Sequence, residues 1–106
     1  MTSDSVMDTL RAFAAERDCH QFHTPENLAK SISIEAAELL ECFQWGSDAD
    51  RDEVAGELAD VLTYALHLAD QLDLDPEEIV RAKLERTRVK YPVEKAKGRS
   101  TKYDRL

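Results

Sequence analysis

Residues 35–60 read Glu35-Ala-Ala-Glu38-Leu-Leu-Glu41-Cys42-Phe43-Gln44-Trp45-Gly46-Ser47-Asp48-Ala49-Asp50-Arg51-Asp52-Glu53-Val54-Ala55-Gly56-Glu57-Leu58-Ala59-Asp60, and this stretch decides the fold. It carries two acidic pairs of matching grammar, Glu35-x-x-Glu38 and Glu57-x-x-Asp60, each inside an apolar run of helical period. Residues three apart are neighbours on one helix face. With about 100° per residue from Glu35, Leu28, Ile32, Leu39, Leu40 and Phe43 fill one arc, and Ser33, Gln44, Lys30 and Glu41 the wet side. Glu35 and Glu38 fall between two apolar edges. The second helix repeats the pattern, with Val54, Leu58, Val61, Leu62, Ala65, Leu68 and Leu72 apolar and Glu53, Asp60, Tyr64, His67 and Gln71 in one polar stripe. Two such helices face to face bring four carboxylates together. Like charges repel at that range, and burial without a cation is costly. An all-oxygen set suits a hard divalent ion, Mg²⁺ or Mn²⁺, better than zinc. Four carboxylates overcompensate one such ion, so more than one per site is expected. An isolated Glu-x-x-Glu reads first as a solvated face. The doubling and the apolar flanks outweigh that reading for these four; Glu41 and Glu53 keep it.

The expected fold class is all-α, a bundle of four to five helices. At 106 residues, 42% apolar and 34% charged, the chain fits one domain over 1–106 with its own core. It opens without a signal-peptide pattern, and no stretch approaches transmembrane length, so a cytoplasmic location is expected. Cys19 and Cys42 lack metal-type spacing and read as free thiols. The net charge of -8 is uneven: residues 1–80 carry 19 acids and 4 bases, residues 81–106 carry 3 acids and 10 bases. The basic quarter suits phosphate contact, whereas the acidic body disfavours nucleic acid.

Residues 4–18 read as a first helix capped by Thr2 or Ser3. Residues 19–23 read as a loop. Thr24-Pro25 starts a second helix that runs to about Trp45, with Gly46 ending it. Residues 47–50 cap a third, from about 48 to 72. Asp75-Pro76 starts a fourth, which ends by Tyr91 because Pro92 disfavours helix before it. Residues 93–106 read as an extended basic tail. Ala55, Ala59 and Leu66 widen the third helix's apolar arc to about 200°, more than one neighbour covers, so a homo-oligomer through helices two and three is expected.

On these residues the chain resembles the MazG-like nucleotide pyrophosphohydrolases. Their signature pairs Glu-x-x-Glu with Glu-x-x-Asp on the next helix, here Glu35, Glu38, Glu57 and Asp60. Phe13-Ala14-Ala15-Glu16-Arg17-Asp18, Phe22-His23-x-Pro25-x-Asn27-Leu28, Gln44-Trp45, Lys83, Lys90-Tyr91-Pro92 and Lys102-Tyr103 stand in the order found in the family's dCTP pyrophosphatase branch. The resemblance spans roughly residues 10–106. It implies an all-α enzyme that cleaves a nucleoside triphosphate to monophosphate and pyrophosphate, with Mg²⁺ on the four acids and subunits assembled as a dimer of dimers. Two positions depart: that branch commonly has Trp where Cys19 stands and Asn where Thr87 stands. Both are substrate contacts in the family, so the base preference stays open among dCTP, dUTP, dATP and modified nucleotides.

The same reading assigns roles. The ion bridges triphosphate oxygens and orients a water at the α-phosphorus. Glu38, or else Glu35, takes the water's proton. Lys83 meets phosphate, with Arg86 and Lys90 on the same side of the helix. Trp45 offers a face for a base. His23 hydrogen-bonds substrate or braces its loop, and the Tyr64 hydroxyl reaches sugar or phosphate. Thr87 and Tyr91 are further substrate positions. Lys102 and Tyr103 close over the phosphates, in the same or a neighbouring subunit. His67 reads as a satisfied histidine at an interface. The competing readings are a di-iron bundle and a non-catalytic interaction module with a basic tail. The first needs Glu-x-x-His pairs, which are absent. The second predicts no metal dependence.

Overall fold

A computed structural model describes residues 5–106, and among them every regular element is helical. In order these are α1 (Val6–Glu16), a 3₁₀ turn over Cys19–Gln21, α2 (Pro25–Glu41), α3 (Arg51–Gln71), α4 (Pro76–Lys90), α5 (Val93–Ala96) and a 3₁₀ turn over Tyr103–Arg105. They divide into two compact units, Met1–Leu74 and Asp75–Leu106.

In the first unit α2 packs along α3, and α1 lies against α3. Each helix start has a side-chain cap, which satisfies amide groups that would otherwise lack partners. Thr24 Oγ1 accepts from the Asn27 amide at 3.2 Å, with Pro25 at the first helical position. Asp50 Oδ1 accepts from the amides of Asp52 and Glu53 at 2.8 and 3.2 Å. At α1 the expected caps Thr2 and Ser3 lie outside the described residues, and Ser5 caps the helix, its Oγ accepting from the Asp8 amide at 3.1 Å.

α2 ends at Glu41, short of the expected Trp45. The amides of Cys42, Phe43 and Gln44 donate to the carbonyls three residues back at 3.2, 2.9 and 3.1 Å, so the last turn tightens out of α geometry. Gly46 follows at φ 143°, a value that favours glycine. Trp45 is thereby carried off the helix and is 92% exposed. The loop before α2 also tightens, into the 3₁₀ turn entered through Asp18 at φ 54°.

The core is thin. Ala14, Leu28, Ala69 and His67 are its buried members. Along α3, Ala55, Leu58, Ala59, Leu62 and Ala65 remain exposed. These recur at i, i+3, i+4, i+7 and i+10, one continuous apolar stripe. No helix among the described residues is long and apolar enough to cross a membrane.

The second unit begins with the expected cap: Asp75 Oδ1 accepts from the amides of Glu77 and Glu78 at 2.9 and 3.2 Å. The tail is not simply extended. α5 forms after Pro92, and Tyr103 folds back to α4's end. Its ring meets Tyr91 edge-on at 6.1 Å and lies under Lys90 Nζ at 4.6 Å. Ring–ring and cation–π attraction account for the fold-back.

Candidate metal centre

Glu35 on α2 and Glu57 and Asp60 on α3 each offer a carboxylate oxygen, and these oxygens lie within 4.8 Å of one another. The i, i+3 spacing on α3 aims Glu57 and Asp60 at one point, and the α2–α3 packing brings Glu35 to it. Glu38 stands outside this trio of oxygens but close beside it. Its carboxylate is near enough to raise the pKa of both Glu35 and Glu57. Glu38 also lines a hollow of about 440 Å³ with Glu41, Cys42, Glu53, Gly56 and Glu57. Cys42 and Cys19 are both free thiols, and burial, then the charges of Glu57, Glu53 and Glu41, hold the Cys42 thiol up in its protonated form.

The electrostatics fit a bound divalent cation. Glu35 is pushed up to about 7, first by the hydrogen bond with Glu38, then by burial and by the charges of Glu38, Asp60 and Glu57. Glu57 is raised by burial first and then by Glu38 and Asp60. Oε2 of Glu35 and Oε2 of Glu57 are buried without a hydrogen-bond partner. Buried polar atoms are normally paired, and an orphaned carboxylate oxygen is costly. A hard divalent ion would satisfy both oxygens and cancel the repulsion, so the donor set fits such an ion.

This predicts a pH signature. In the metal-free protein Glu35 holds a proton between its ordinary value of 4.5 and about 7 that the unfolded chain has lost. Stability therefore falls as pH rises through that window. A divalent ion must displace the same proton, so its affinity rises over the same window by roughly tenfold per pH unit. Melting curves and Mn²⁺ titrations at about pH 5.5 and about pH 8 check both slopes. Equal ion affinity at the two values would remove Glu35 from the ligand set.

A cavity of about 300 Å³ opens beside Asp60, lined by Leu10, Phe13, Cys19, His23, Asp60, Thr63, Tyr64 and His67. His23 and Tyr64 thus line the same cavity as Asp60. Thr63 and His67 were not assigned there, although they continue Asp60's side of α3 at i+3 and i+7. His67 is 8% exposed within the single chain, and its ring packs against His23 at 4.6 Å. Trp45 is not among the residues lining this cavity. In the second unit Lys83 and Thr87 line one shallow groove with Ile79, Val80 and Leu84. The Thr87 hydroxyl already donates to the Lys83 carbonyl at 3.1 Å. Tyr91 and Tyr103 pack together, and Lys102 immediately precedes the last 3₁₀ turn.

A model of the MazG-like family matches residues 30–106. The chain is 40% identical to rat dCTP pyrophosphatase 1 over 104 residues, covering 89% of this chain and 61% of the rat protein. It is 38% identical to bovine dCTP pyrophosphatase 1 over 119 residues, covering 99% of this chain and 70% of the bovine one. The chain thus spans under two thirds of the length of the rat relative and somewhat more of the bovine. A crystal structure of a pyrophosphatase from Archaeoglobus fulgidus superposes with a TM-score of 0.75 at 42% identity, over 87% of this chain and 98% of that one. Helices alone, two facing acidic pairs and these likenesses converge: the chain belongs to the MazG-like family.

Proposed function

We propose that the chain is a nucleoside triphosphate pyrophosphohydrolase that requires Mg²⁺, with Mn²⁺ able to substitute. Its substrate is dCTP or a related or modified pyrimidine deoxynucleotide, cleaved to the monophosphate and pyrophosphate. The observation that carries the reading is the convergence of Glu35, Glu57 and Asp60 with two orphaned buried oxygens. The relatives named dCTP pyrophosphatase support the substrate class.

A divalent ion bound here supplies charge neutralisation for the triphosphate and lowers the pKa of a bound water. Glu35, Glu57 and Asp60 hold it. Glu38, beside Glu35, takes a proton from an attacking water, a role supported by its nearness to the trio. The cavity beside Asp60 receives sugar and base, with His23 and Tyr64 as polar contacts and Leu10 and Phe13 as apolar ones. Lys83, Thr87, Tyr91, Lys102 and Tyr103 are the phosphate and substrate contacts of the second unit, a role supported by its excess of basic residues. The functional form is a homo-oligomer, supported by the exposed apolar stripe on α3.

A panel of canonical and modified deoxynucleoside triphosphates with Mg²⁺, scored by pyrophosphate release, tests this reading. Turnover is expected for at least one pyrimidine nucleotide and none without metal. Cys19 lines the cavity, so Cys19→Trp narrows it and is expected to reorder the nucleotide ranking while the Mg²⁺ requirement stays. An unchanged ranking would remove residue 19 from the base pocket.

A further inference from the structure

The geometry points to His67 as a positioning residue for nucleotide selection, acting through His23; this rests on the function proposed above. His67 sits on α3, two turns beyond Asp60, and is the one buried polar or charged residue among those described. Its ring lies 4.6 Å from that of His23, tilted by 48°, and 6.5 Å from the Tyr64 ring. All three line the cavity that also contains Asp60. His23 lies in the short connection between the 3₁₀ turn and α2, anchored by its amide to the carbonyls of Cys19 and His20 at 3.2 Å each. No hydrogen bond holds the ring at Nδ1, which is buried without a partner. His67 is therefore the aromatic neighbour that fixes the ring's orientation.

That orientation matters for recognition. With Nδ1 buried, a ligand reaches His23 through its other ring nitrogen. Burial, then the charge of His20, lowers the pKa of His23, and burial, then the charge of His23, lowers that of His67, so both rings are neutral at pH 7. A neutral imidazole offers one donor and one acceptor rather than two donors. Leu10 and Phe13 add apolar lining to the same cavity. It thus combines hydrogen-bonding and apolar groups, the pair of demands made by a planar base with polar edges. A hydrogen-bonding side discriminates only when its groups are held in place, which assigns the selectivity of His23 to the ring beneath it.

The test is a double-mutant cycle on the full chain with Mg²⁺ and the best nucleotide of the panel. His67→Ala is expected to raise KM about tenfold while kcat stays within about twofold and Mn²⁺ affinity is unchanged. His67→Phe restores the ring contact and is expected to recover most of KM. His23→Ala should raise KM by a similar factor, and the double variant should be no worse than His23→Ala alone. Independent, multiplying effects of the two substitutions would overturn the inference. So would an unchanged KM in His67→Ala, or a loss shared equally by kcat and Mn²⁺ affinity. If His67→Ala does not fold, failure of His67→Phe to retain KM overturns it. An absence of any nucleotide turnover in the wild type would instead sink the proposed function itself.

Discussion

Asp60→Asn is expected to reduce pyrophosphate release by more than about a hundredfold, because an ion clamp on a transferring phosphoryl group supplies several kcal/mol of transition-state stabilisation. Asp60 offers one of the three oxygens gathered within 4.8 Å. The same substitution should abolish the gain in melting temperature on adding Mg²⁺, since that gain follows from binding to the folded state alone. Without metal the variant should melt no lower than wild type, because one of the charges raising Glu35 and Glu57 has gone. A merely destabilised protein would show the opposite sign. Glu38→Gln makes the informative contrast. Glu38 lies beside the trio rather than in it, so a base role predicts lost turnover with metal-dependent stabilisation largely kept. Loss of both would place Glu38 among the ligands. Near-normal hydrolysis in either variant would end the site assignment.

The site was legible because its signal is local. Two i, i+3 acidic pairs on apolar helices leave few ways to pack, and the caps at Thr24, Asp50 and Asp75 fix where three helices begin. What the sequence did not disclose depends on turns and on pairs distant along the chain. Trp45 was placed on α2, but three successive i to i−3 hydrogen bonds carried it off the helix. The sequence sets Leu28 and Leu40 on one apolar arc of α2, yet Leu28 is 1% exposed and Leu40 70%. A helical wheel gives direction, and only packing decides which part of an arc finds a neighbour. His67 was legible as a histidine on the acidic side of α3. Its partner, His23, is remote in sequence and reaches it through a 3₁₀ turn that no period announces. The fold-back of Tyr103 onto Tyr91 was hidden for the same reason: composition marks a tail as polar but does not say where one aromatic ring will settle.

Joint replacement of Leu58 and Leu62 by glutamate is expected to convert an oligomer into monomers and to lower the melting temperature by several degrees. Leu58 is 43% exposed and Leu62 54%, on the stripe that Ala55, Ala59 and Ala65 complete. Small residues flanking the leucines allow a second helix to approach closely, and an identical stripe on another copy meets that demand by two-fold symmetry. Covering each half-exposed leucine stabilises by about 1 kcal/mol, and the symmetry doubles every contact. A carboxylate at either position would be buried without a partner on assembly, which costs more than the leucine gained. The thin core gives this weight: three apolar residues are buried among those described, which is little for a chain this size. Light scattering behind size exclusion, at two concentrations, reads the mass directly, and melting curves of the wild type should rise with concentration. A wild type that is monomeric at every concentration would leave the stripe to some other partner. A glutamate variant that stays oligomeric would move the interface off α3.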